Sequence, residues 1–157
     1  MGALRAAVGS SWWILPLCES LHFIGMAMLV GVVGVVDLRI LGMAKGLPLE
    51  PLQRLMPWAV LGFVINLVTG FLFFAGNPRQ YIGPPLSLTF VAKMLFIVLA
   101  GMNVAFFTVT GLKRLVDGVG AGHEAPFGAK VCAAVSLFLW VGVMYWGRML
   151  QFFGKAF

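Results

Sequence analysis

Charge is what this sequence has least of. Its 157 residues include 11 Lys and Arg and five Asp and Glu, so 10% of the chain is charged, where an average soluble domain carries about 25%. That is too little to solvate the surface of a water-soluble fold, and it excludes an ordinary globular enzyme and a disordered tail. Cysteine is scarcer still. Cys18 and Cys132 fall near opposite faces of the bilayer in the topology below, so no internal disulfide is expected and a secreted disulfide scaffold is excluded. Cys-x-x-Cys, Gly-x-Ser-x-Gly and a loop ending in Gly-Lys-Ser/Thr are all missing, which removes the signatures of dithiol redox, serine hydrolase and nucleotide-binding chemistry.

What the chain has instead is apolar length: 61% of its residues are hydrophobic and its mean hydropathy is +1.01. These values identify an integral membrane protein. The net charge of +6 would suggest nucleic acid in a soluble protein. Here the basic residues flank apolar runs, so membrane lipids with anionic headgroups are the expected counter-charge and no nucleic acid is.

Apolar runs and their breakers predict an all-α, four-helix transmembrane bundle forming one domain over residues 1–157. The first helix runs from Trp12 to Gly42 after Ser10-Ser11. The second runs from Trp58, after Pro57, to Gly76 before Asn77-Pro78, and the third from Ser87, after Pro84-Pro85, to Gly111 before Lys113-Arg114. The fourth runs from Lys130 to Phe153. About 20 apolar residues cross the hydrocarbon core, so the first helix should tilt or project beyond it. The long apolar stretch after Arg5 lacks a small-x-small site and predicts no cleavable signal. Arg39, Lys45, Arg54, Lys113, Arg114 and Lys130 fall in the first and third connections. Arg5, Arg79 and Lys155 fall on the other side, which places both termini outside, on the periplasmic side of the inner membrane if the source is bacterial. The glycine-rich stretch from Asp117 to Gly128 is expected as a loop on the inner side.

Inside the spans, ionisable residues are costly and therefore informative. Glu19 and His22 share a helix face at i, i+3, with Met26 one turn on. Lys93 heads a stripe through Phe96, Ala100 and Asn103. Gly62, Asn66, Thr69 and Phe73 form another, and Arg148 lies one turn from Met144. Glu19, His22, Lys93 and Arg148 all fall toward the outer side, where Glu19 is expected to pair with Lys93 or Arg148. Asn66 and Asn103 are expected to bond across helices. Several readings stay open for His22: a satisfied pair with Glu19, ligation of haem iron, or a proton relay or other metal site. Lys93 and Arg148 also suit snorkelling at the interface, and Met26, Met94, Met102 and Met144 suit packing. Trp12, Trp13, Tyr81, Tyr145 and Trp146 suit an aromatic belt, and Ala27-x-x-x-Gly31 suits close helix contact. Glu19-x-x-His22 alone cannot build a di-iron site, which needs a second such motif and further inward carboxylates. Glu19 reads as the one acid well inside a span.

Glu19-x-x-His22-x-x-Gly25, Asp37-Leu38-Arg39, Pro57-Trp58 with Gly62-Phe63 and Thr69-Gly70, then Lys93 and Gly101-Met102-Asn103 together resemble a family of short, uncharacterised four-helix bacterial membrane proteins. At greater distance the pattern resembles HemJ-type protoporphyrinogen oxidases and CopD-like membrane domains. The first of these resemblances implies a haem-b bundle with His22 as axial ligand. Lys93 would then meet a propionate or serve the redox chemistry. With one His in the spans, haem would be five-coordinate, His/Met through Met94 or Met144, or shared between protomers. The paired Met and His clusters of a copper pathway are missing.

The leading expectation is therefore a haem-b redox protein exchanging electrons with quinone or a partner dehydrogenase. His22 would be its metal ligand, Glu19 and Lys93 its catalytic candidates, and Lys93, Arg148, Met144 and Asn103 would complete the cofactor site. A protoporphyrinogen oxidase activity is a narrower form of it. The alternatives are a small-solute, proton or metal permeation module and a structural accessory subunit. Four helices are few for a transporter, so a homo-oligomer is expected.

Overall fold

In the computed structural model, which describes residues 13–76, 81, 83 and 86–153, every regular element is a helix. Six are present: α1 (Ile14–Leu41), α2 (Leu49–Gln53), α3 (Met56–Gly76), α4 (Leu86–Val109), α5 (Leu112–Asp117) and α6 (Phe127–Phe153). Four helical segments, built on α1, α3, α4 and α6, are long and apolar enough to cross a membrane. The expected all-α four-helix bundle is the observed one. The fourth helix starts three residues earlier than Lys130, and the short α2 and α5 interrupt connections read as loops. Arg5, Trp12, Arg79 and Lys155 lie outside the described residues.

At 28 residues, α1 extends about 42 Å, well beyond a hydrocarbon core of about 30 Å. It stops at Gly42, whose φ of 92° places it in the left-handed region. The Gly42 N–H bonds the Arg39 carbonyl at 3.1 Å and the Met43 N–H bonds that of Leu38 at 3.0 Å, the paired pattern of a Schellman stop. Pro57 sits in the first turn of α3, where a missing N–H costs no helical bond.

The spans pack as two hairpins, α1 against α3 and α4 against α6, joined by a smaller contact between α1 and α6. The first hairpin closes at Gly25 and Gly62. A Cβ on Gly25 would lie 2.8 Å from the Gly62 carbonyl oxygen, and one on Gly62 would lie 2.5 Å from that of Gly25 and 2.9 Å from the Leu29 nitrogen. The helix backbones therefore touch there, as small residues allow in a membrane. Gly31, where close contact was expected, has open space around it. In the second hairpin the Phe96 ring lies on Gly142 and tilts against Phe138.

The connections α1–α3 and α4–α6 meet at one end of the bundle. Arg39, with no exposed surface, ties them together. Its Nε donates to the Leu47 carbonyl, its Nη2 to that of Gly120 at 3.0 Å and its Nη1 to that of His123 at 3.4 Å. Outside this clamp Glu124 takes hydrogen bonds from Lys45 and, at 2.8 Å, from Lys130. Val36, Ile40, Leu49, Val116 and Ala129 fill the core beneath. A second core of Leu29, Ala59, Ala100, Leu139, Trp140 and Val143 lies between the hairpins.

Candidate functional site

Toward the opposite end, the hairpins enclose a cavity of about 980 Å³ whose wall takes residues from all four spans. Most of that wall is aromatic and aliphatic. Its polar groups are few: His22, Asn66, Tyr81, Lys93 and Arg148.

α1 supplies His22, Met26 and Leu29, which recur at i, i+4 and i+7 and so share a face. The His22 ring is fixed from α3. Its Nδ1 lies 2.7 Å from Thr69 Oγ, and that hydroxyl lies 2.7 Å from the Ile65 carbonyl. A hydroxyl has one proton, which the carbonyl takes, so Oγ accepts from Nδ1–H. That bookkeeping puts the ring proton on Nδ1 and the lone pair on Nε2, a nitrogen with no hydrogen-bond partner among the described residues. Phe73 meets the ring edge-on at 5.6 Å, a second contact from α3 on the same imidazole.

α4 supplies Lys93 and Met94, and α6 supplies Trp140, Met144 and Arg148. The Lys93 side chain lies across α6 at Gly147, whose missing Cβ would be 3.5 Å from Nζ. Among the described residues it forms no ion pair. His22, Lys93, Met144 and Arg148 are thus brought together, as expected from the sequence.

Glu19 and Asn103 are not. Glu19 is exposed on the bundle surface and makes no ion pair with Lys93 or Arg148. The reason is angular. Over the half of α1 that holds Glu19, the buried stripe passes through Cys18, Gly25 and Leu29. At 100° per residue its centre lies about 40° to one side of His22, and Glu19 lies about 60° to the other. Asn103 does bond across helices, but to the Cys132 carbonyl at 3.0 Å and away from the cavity. Asn66 instead bonds within its own helix, to the Gly62 carbonyl at 2.9 Å.

Sequence reasoning missed two groups. Thr69 stood on the correct stripe, but nothing in its spacing named it as the partner of His22, 47 positions away. Asp37 is 7% exposed, so Glu19 is not the only acid within a span. Ser136 of α6 lies against its carboxyl, while Oδ2 has no hydrogen-bond partner among the described residues. The one available signal was its position five residues inside the end of a helix too long for the bilayer.

No group of three or more His, Cys, Asp or Glu side chains gathers into a metal site among the described residues. Any metal at His22 would therefore need most of its ligands from elsewhere, as a porphyrin provides. No curated protein and no solved structure matches the chain. Its sequence does match DUF6644, a family of unknown function, over residues 8–153, and the chain belongs to that family.

Proposed function

We propose that this protein binds haem b between its two hairpins and passes electrons within the bacterial inner membrane, with His22 as axial ligand. One observation carries the reading: an imidazole whose Nδ1–H is held by Thr69 lines a largely apolar cavity of about 980 Å³. Ligating imidazoles characteristically have their second nitrogen fixed in this way, which sets tautomer and ring orientation. The donor set fits haem better than a bare ion, because a porphyrin brings four ligands and asks the protein for one or two.

When bound, haem supplies a one-electron couple. The chain's own residues do the rest. Thr69 and Phe73 hold the ring of His22, the apolar wall excludes water, and Lys93 and Arg148 offer positive charge to two carboxylates. Met94 and Met144, both in the wall, offer thioethers as a second ligand. Quinone or a membrane dehydrogenase would exchange the electron, from a homo-oligomer with both termini in the periplasm. Glu19 has no role in this scheme, and its place outside the cavity also removes the acid from a proton or solute path through the bundle. Asn103 serves helix packing.

The test is an absorption spectrum of protein expressed with haem precursor and purified in detergent, oxidised and then reduced. A Soret band that shifts on reduction, and that His22→Ala abolishes without loss of helicity, supports the proposal. A colourless and fully helical wild-type protein, still colourless after added haem, contradicts it.

A further inference from the structure

The cavity has a side without a wall. At one end α3 and α4 meet through aromatic rings: Phe74 stacks on Phe90 at 5.8 Å, and Tyr81 packs against Phe90 at 5.4 Å and Phe74 at 5.8 Å. Further along, residues that line the cavity are also substantially exposed. They are Phe63 (37%), Leu67 (61%) and Phe71 (55%) on α3 and Met94 (38%) on α4. α3 and α4 are not among the helix pairs in extensive contact, so their exposed lining residues mark a mouth between them. These residues fall within the membrane-spanning segments, where the surroundings are acyl chains and not water.

A second observation says what would pass through. Lys93, half-buried in the cavity wall, has no acidic partner among the described residues. An ammonium withdrawn from water without a counter-charge is costly in a bilayer, and an anion carried in by a ligand would offset that cost. Apart from His22, Asn66, Tyr81 and Arg148 the rest of the wall is apolar, so the ligand must be apolar over most of its length.

We infer that the cavity is filled sideways from the bilayer, through the gap between α3 and α4 beside the Phe74–Tyr81–Phe90 cluster, by an amphiphile with an apolar body and a carboxylate that meets Lys93. The inference rests on the reading of the cavity as a ligand site, but not on the ligand being haem. Haem and a free fatty acid share this chemistry, and the experiment separates them.

Trp140 is 8% exposed and lines the cavity, so it reports occupancy. With Trp12, Trp13, Trp58 and Trp146 each changed to Phe, the protein is reconstituted in phosphatidylcholine vesicles. The probes are a brominated fatty acid and brominated phosphatidylcholine. Expected is saturable quenching of Trp140 by the fatty acid and little by the phospholipid. Lys93→Met should weaken it about tenfold, the loss of about 1.4 kcal/mol. Narrowing the mouth with Leu67→Phe should slow it several-fold. Equal, unsaturable quenching by both lipids, or quenching indifferent to Lys93→Met and to the narrowed mouth, would overturn the inference. Haem uptake from vesicles by the protein with all its tryptophans gives the second arm. Fatty-acid binding through Lys93 without any Soret band keeps this inference and removes haem. A Soret band that forms at the same rate with the mouth narrowed keeps haem and removes the lateral route.

Discussion

At the scale of single residues, the account turns on which hydrogen goes where. Thr69 can orient His22 only because its own proton is committed to the Ile65 carbonyl. Thr69→Val keeps the shape and removes the acceptor, so haem affinity should fall by about 10- to 100-fold. Thr69→Ser should retain most of it, and a haem titration followed at the Soret maximum measures both. Arg39 makes a different kind of commitment, to backbone carbonyls of both connections at one end of the bundle. Arg39→Met keeps the apolar stem but leaves those carbonyls without their donor. It should destabilise the protein by about 2–4 kcal/mol, measured by denaturant titration in mixed micelles, with haem binding at the opposite end retained.

Residues were legible in the sequence to the extent that their chemistry depended on their own helix. His22 and Lys93 were found because ionisable groups in a span are rare. Glu19 was misjudged because i, i+3 spacing fixes two residues relative to each other and not to the stripe that packs. That stripe is set by Gly25 against Gly62, a tertiary contact.

At the scale of elements, four spans could be read directly, since hydropathy over about 20 residues reports the solvent of a helix. The five-residue α2 and six-residue α5 are too short to carry a periodic signal, and they exist because Leu49 and Val116 plug the core beneath them. Glycine patterns told little on their own, as the contrast between Gly31 and Gly62 shows. Gly62→Ala should cost about 1–3 kcal/mol by forcing α1 and α3 apart, whereas Gly31→Ala should be neutral, in the same denaturation assay. The connections predict a pH effect. Hydrogen bonds from Lys130 and Lys45, and then their charges, hold the exposed Glu124 carboxyl down from 4.5 to about 2. A folded value below the unfolded one stabilises above pH 4.5 and loses that contribution as pH falls toward 2. Thermal stability should therefore decline through that window, and Glu124→Gln should flatten the decline.

At the scale of the whole molecule, two tight hairpins share a limited seam and leave a large apolar space open along one side. No sequence pattern announces such a space, because it arises from helices that do not meet. Its contents were legible in outline, as His22, Lys93, Met144 and Arg148 converge on it. The central claim is that this space holds haem through His22. The most direct measurement is haem titration of apo-protein in nanodiscs, comparing wild type with His22→Ala at equal helicity. The account predicts one saturating site in the wild type, with a Soret band that shifts on reduction, and its loss in the variant. A wild-type protein that takes up haem no better than His22→Ala would contradict it.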